Sequence, residues 1–324
     1  MPSNLVLPRP GKPFAPEPPI PGPSESFFTS VFGTLLPPAQ HLQTRTGKVA
    51  YYSIPPTTSN TSPTNHAQPS HVLFIHGVQT PAIGMLPLAR ALHTSFPSSR
   101  FVLLDLWGHG LSDAPIAAYT ASLFHSLIDD LLDHLSWPRV HLVGFSFGGA
   151  LTVGYVASRP QRVSGFTLIA PAGLIRRDVF SAEQRALLDG DGDEESAEKW
   201  VLDVLEDGEL VVPEDWRERV EKGEVVAQAV KEWQMREHEG HTAAVVAVFR
   251  DGGVMDQDEV FATVVETSVR NLVVLGELDG VVSEEDLVKL GFKDIKVVKG
   301  AGHGVVRENV EEVKGLVEGF WRGF

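Results

Sequence analysis

Short continuous apolar runs recur along the chain, each closed by glycine, proline or a polar turn, and between them apolar residues fall three and four apart. The runs at residues 48–54, 71–75, 100–106, 139–145, 165–170, 271–276 and 294–298 are rich in Val, Ile, Leu and Phe and too short for helices, so they read as strands. Residues 83–96, 120–135, the stretch from Ser146 to Arg159 and the stretch from Arg307 onward have helical spacing. In the last of these Val310, Val313, Leu316, Val317 and Phe320 form one apolar stripe. Strands alternating with helices at this rhythm predict an α/β fold with a mostly parallel sheet and right-handed crossovers. Its functional site is expected beyond the carboxyl ends of the strands.

The rhythm breaks twice. Residues 174–267 contain no strongly apolar strand and are acidic and helical in composition, which predicts a helical lid inserted into a core of residues 46–173 and 268–324. Residues 1–45 form the other break, a proline-rich, partly extended arm whose first half is crowded with proline. The arm reads as a loose terminus without a task. It has no apolar stretch of signal-peptide length, so the expectation is a cytoplasmic protein. Residues 57–70, a Ser/Thr/Asn/Pro tract, read as a surface loop.

Composition narrows the partners. With 324 residues and 43% hydrophobic content the chain can bury a large core, and a formal net charge of −15 argues against binding nucleic acid or an anionic membrane. The absence of cysteine removes disulfides, thiolate chemistry and cysteine metal sites. The expected partner is therefore a small apolar acyl molecule, with no nucleic acid, no stable membrane insertion and an oligomeric state the sequence leaves open. Two metal-like patterns fail on spacing. Asp189-Gly190-Asp191-Gly192-Asp193 lacks the glycine and glutamate of a calcium loop, having Glu194 and Trp200 in those places. His238 and His241 are three apart, not the four of a zinc helix. Both read as solvated surface of the inserted segment, and neither a metal nor a cofactor is expected.

The chemistry concentrates at Gly144-Phe145-Ser146-Phe147-Gly148, which lies between an apolar strand and a helix. Strand, sharp turn and helix in that order lift a serine hydroxyl above the sheet edge, with small residues keeping the turn clear. A serine hydroxyl needs a base, and the base needs an acid to fix its tautomer. Of the histidines, His303 alone follows a late strand, sits between glycines and precedes the terminal helix. Asp279 ends a strand in Gly276-Glu277-Leu278-Asp279-Gly280. Glu277 ranks below it, because two residues back along a strand it points to the same face but deeper. Ser146, Asp279 and His303 are the expected catalytic residues. An oxyanion hole is expected from the amides of Phe147 and Val78, with Gln79 as the fallback. Gln79, Trp107, Phe145 and Leu174 are the expected substrate contacts. His76, Asp105 and His109 are expected to brace loops. Some of the apolar residues Leu187, Leu188, Trp200, Val201, Leu205 and Trp233 are expected to face the site, and others to pack the inserted segment onto the core.

Together His76-Gly77, Trp107-Gly108-His109-Gly110-Leu111-Ser112, the elbow, Gly276-Glu277-Leu278-Asp279 and Gly302-His303 make the chain resemble the α/β-hydrolase superfamily over residues 48–324. The resemblance implies an eight-stranded sheet and a triad in the order Ser146, Asp279, His303. Within the superfamily it is nearest the lidded esterases, lactonases and carbon–carbon bond hydrolases, with Ala170-Pro171-Ala172-Gly173-Leu174 as the junction to the lid. The implied activity is cleavage of a small to medium apolar carboxylic ester or lactone. A β-diketone hydrolase, an acyltransferase and a non-catalytic ligand-binding receptor fit the same motifs.

Overall fold

The computed structural model describes residues 5–58, 68–206 and 208–323, so part of the tract at 57–70 lies outside the described residues. Eight strands form one sheet: β1 (Gln40–Gln43), β2 (Lys48–Ile54), β3 (His71–Ile75), β4 (Arg100–Leu104), β5 (Val140–Phe145), β6 (Val163–Ile169), β7 (Asn271–Gly276) and β8 (Ile295–Val298). Their order is β1-β2-β4-β3-β5-β6-β7-β8. From β4 to β8 every pairing is parallel, while β1 and β2 add an antiparallel edge. Helices cover both faces, which is why β5 is buried at all six positions and its sequence is a continuous run rather than an alternation.

β1 was not visible in the sequence. Gln40-His41-Leu42-Gln43 falls within the segment read as the arm, and most of it is exposed, so no apolar pattern marks it. Backbone pairing with β2 alone makes it a strand. The terminal helix Val310–Arg322 buries Val313, Val317 and Trp321, so Trp321 completes the predicted stripe while Leu316 and Phe320 pack at its margin.

The strand order fixes where a ligand can bind. β4 lies on one side of β3 and β5 on the other, so the connections leaving β3 and β5 diverge and open a crevice at their carboxyl ends.

Between β6 and β7 the chain forms the helices Ala182–Asp189, Glu194–Glu206, Trp216–Glu221, Ala227–Glu237, His241–Asp251 and Asp258–Glu266. The last packs along the helix Phe147–Ser158 on the flank of the sheet. Two others are tied to the loops at the crevice. Gln234 accepts from Gly110 N–H at 2.6 Å and donates to the carbonyl of Gln79. His238 Nε2 donates to Ser112 O and His241 Nδ1 to Gly108 O, each at 2.8 Å. The expectation that His238 and His241 are solvated is therefore overturned. Both are buried, because His238 ends the helix Ala227–Glu237 and His241 begins the next one, so the turn between the two helices sits against the loop of residues 108–114. Among the described residues no helix is long and apolar enough to cross a membrane.

The arm is docked rather than loose. Ile20 exchanges two backbone hydrogen bonds with Ala114, at 2.9 and 2.8 Å, and Gly22 N–H donates to Asp113 Oδ1 at 3.1 Å. Arg9 pairs with Asp251 at 2.7 Å and donates to Leu188 O at 2.9 Å. The helix Glu25–Phe32 then sets Phe28 and Phe32 edge-on to Trp233, with ring centroids 5.2 and 5.9 Å away. Proline-rich backbone makes few hydrogen bonds of its own, so its order comes from partners far along the chain, which composition does not reveal.

Candidate active site

β5 ends at Phe145 and the next helix begins at Phe147, so Ser146 makes the turn alone, with φ 52° and ψ −117°. That left-handed conformation is costly for a residue with a side chain, by about 1–3 kcal/mol, and persists where its surroundings enforce it. They do so here. Ser146 N–H donates to Ile169 O at 3.1 Å, and its carbonyl accepts from Gly149 and Ala172 at 2.8 and 2.9 Å. A Cβ on Gly144 would stand 2.3 Å from Gly148 O, and one on Gly148 would stand 2.1 Å from Ile75 O, so the turn closes only with glycine at both places.

Asp279 leaves β7 and His303 leaves β8, and both reach Ser146. With its proton on Nδ1, His303 donates to Asp279 Oδ2 at 3.0 Å, and Nε2 accepts from Ser146 Oγ at 2.9 Å. The Asp279 side chain is 0% exposed and His303 is 37% exposed, so the carboxylate is shielded while the imidazole faces the crevice. Asp279 Oδ1 also accepts from Val281 N–H at 3.0 Å. Glu277 is not deeper on the same face. It is exposed, and it accepts from Gly300 N–H at 2.8 Å, bracing the loop that carries His303.

The loop after β3 lies directly against the serine, since a Cβ on Gly77 would stand 2.9 Å from Ser146 Cβ. Among the described residues the N–H groups of Val78 and Phe147 donate to no protein acceptor, and both adjoin the serine in space or sequence. Gln79 N–H is already committed to His109 Nε2 at 3.2 Å, which removes the fallback donor. His76 Nε2 accepts from Leu106 N–H at 2.9 Å, and His109 Nδ1 donates to Trp107 O at 3.0 Å. Asp105 gathers Ala82 N–H, Leu111 N–H and the Tyr52 hydroxyl. Burial holds His76 down at about 4, and burial with His241 nearby holds His109 well below its usual value. Burial raises Asp105 to about 6, against the pull of its hydrogen bonds. These residues brace the loops and do not reach the serine.

A cleft of about 910 Å³ opens between Asp279, His303, Arg307 and the helices Glu194–Glu206 and Ala227–Glu237. Leu205 lines it. Trp233 instead packs on Phe27, Phe28 and Phe32, and Trp200 on Phe180 and Phe249. Leu188 and Val201 are buried in the core, as are Trp107 and Leu174. The Phe145 ring lies 5.2 Å from the His303 ring, with the Arg307 guanidinium over its face at 5.3 Å. The side-chain amide of Gln79 is buried without a partner. Sequence reasoning passed over Gln234 and Arg307, and it read His238 and His241 as solvated surface. The only trace of Arg307 was one basic residue in the apolar turn four positions after His303.

An α/β-hydrolase fold family model matches residues 70–221. A Bacillus subtilis protein to which 2-succinyl-6-hydroxy-2,4-cyclohexadiene-1-carboxylate synthase activity is ascribed is 26% identical over 228 residues, 66% of this chain and 78% of that protein. Further curated relatives match over shorter stretches, in which the chain spans 20% to 38% of their length. Among solved structures, the enol-lactonase of Burkholderia xenovorans superposes with a TM-score of 0.63 at 18% identity, covering 87% of this chain and 99% of that one. The meta-cleavage product hydrolase of Pseudomonas fluorescens does so at 0.59 and 19% identity, covering 88% and 97%. At these identities the structural likeness concerns the fold. Residues 70–221 thus match the α/β-hydrolase fold family, and the chain as a whole has the α/β-hydrolase fold.

Proposed function

We propose that the protein is a serine hydrolase cleaving a small to medium carboxylic ester or lactone through an acyl-enzyme. The observation that carries this reading is the unbroken hydrogen-bonded series from Ser146 Oγ through His303 to the shielded carboxylate of Asp279. In the mechanism, Ser146 Oγ gives its proton to His303 Nε2 as it attacks the substrate carbonyl. Asp279 keeps the other ring proton on Nδ1 and stabilises the imidazolium. The tetrahedral oxyanion is held by the amides of Phe147 and Val78, and a donor of this kind contributes about 3–4 kcal/mol to the transition state. His303 then protonates the leaving oxygen, and in the second half it takes a proton from water, which releases the acid and restores the serine. Helices between residues 174 and 267 serve as the lid, and residues 1–45 strap it down.

The fold it shares with a meta-cleavage product hydrolase favours a second reading, hydrolysis of a carbon–carbon bond in a β-diketone by the same residues. Turnover of p-nitrophenyl esters, a lactone and a vinylogous β-diketone by the native and Ser146→Ala proteins separates the two. The proposal expects ester or lactone hydrolysis that disappears with Ser146. Turnover of the β-diketone with the esters inert would contradict it.

A further inference from the structure

We infer that the cleft beside His303 contains a subsite for a carboxylate of the substrate, with Arg307 as its receptor. This rests on the hydrolase reading above and adds a substrate class to it. Three cations line the cleft, and two are already neutralised. Lys231 bonds Glu206 twice, at 2.6 and 2.8 Å, with both side chains largely buried. Arg219 pairs with Glu224 at 2.8 Å. The acid and base of the cleft floor, Asp279 and His303, hold one another. Arg307 has no hydrogen bond or ion pair among the described residues, and its Nη1 is buried without an acceptor. Its neighbour Glu308 is exposed and forms no ion pair among them. The Glu308 carboxylate reaches toward Gly304, where a Cβ would stand 2.1 Å from Oε1.

A guanidinium carries five N–H donors, and a buried donor left without an acceptor costs free energy. The face of Phe145 answers the charge but not the donors. A carboxylate, planar and able to accept two parallel N–H bonds, answers both. Position supports the same conclusion. Phe145 precedes Ser146 and its ring stacks beside His303, so an anion at Arg307 lies within two ring spacings of the imidazole. A short methylene spacer running along Leu205, Val225 and Val281 would join that anion to a carbonyl at Ser146.

The test compares p-nitrophenyl valerate with mono-p-nitrophenyl glutarate, acyl groups of equal chain length that differ in a terminal carboxylate. The native protein is expected to favour the glutarate by about tenfold or more in kcat/KM, mainly through KM, since a charge-assisted bidentate contact is of that size. Arg307→Met should reduce that ratio by about the same factor, and Arg307→Lys should restore part of it. A native protein that prefers the valerate, or an Arg307→Met ratio equal to the native one, overturns the subsite. Should Arg307→Met fail to fold, the native comparison still decides. Calorimetry on the Ser146→Ala protein with monoethyl glutarate and ethyl valerate keeps the two claims apart. Selective glutarate binding without turnover in the native protein would overturn the hydrolase reading alone. Turnover without selectivity would overturn the subsite alone.

Discussion

On the sheet side of the cleft Ser146, Asp279 and His303 are positioned by backbone, whereas on the helical side the contacts are made by side chains. Ser146 is fixed by main-chain hydrogen bonds through its N–H and its carbonyl and by two obligatory glycines, and Asp279 and His303 leave adjacent parallel strands. The inserted helices reach the same loops through Gln234, His238 and His241, which bond carbonyls and amides of residues 79, 108, 110 and 112. The sheet side sets atoms in place as a consequence of topology. The helical side depends on a few buried polar contacts that a change of protonation or of one side chain can undo. On the proposed mechanism, reaction type is built into the first region, and substrate selection and sensitivity to conditions into the second.

The comparison predicts unequal effects of perturbation. On the sheet side, Asp279→Asn preserves shape but removes the charge that sets the His303 tautomer, so kcat should fall about 10⁴-fold with little change in melting temperature, as steady-state kinetics and calorimetry would show. A fall of only a few-fold would mean that Asp279 is not the orienting acid.

On the helical side the effect is smaller and depends on pH. Burial holds His241 of the inserted segment at about 3 and His238 below its usual range, and in the strand-end loops they meet it holds His76 at about 4 and His109 well below its usual value, so all four are neutral in the folded chain. Unfolded histidines titrate near ~6.5. Below that pH the unfolded chain binds protons that the folded chain refuses, so stability should fall as pH drops from ~6.5 toward the folded values, by up to ~1.4 kcal/mol per pH unit for each histidine. Asp105, raised to about 6, opposes part of this, since between about 6 and ~4 it is protonated only in the folded chain. Urea midpoints from pH 8 to pH 4 should decline, and His241→Gln should flatten the decline. A midpoint that rises on acidification would break the account of the helical side.

The same division explains what could be read from the amino-acid sequence. The elbow, Asp279 and His303 were legible because each sits at the end of an apolar strand, where topology delivers it to one edge of the sheet. β1 was not, since its four residues carry no apolar pattern and exist as a strand only through β2. The docked arm and the roles of His238 and His241 were hidden for a related reason: their partners lie about a hundred or more positions away, and polar residues on a helix look the same whether they meet water or a buried carbonyl. Arg307 has no local signature either, because a missing partner is visible only in three dimensions.

The most direct measurement is covalent labelling of the full-length protein with a fluorophosphonate, followed by mass spectrometry of its peptides. An adduct on Ser146, formed rapidly in the native protein and lost or strongly slowed in His303→Ala, is the predicted result. A folded native protein that carries no adduct at Ser146, or that labels equally fast without His303, would contradict the triad and leave a pocket that binds without reacting.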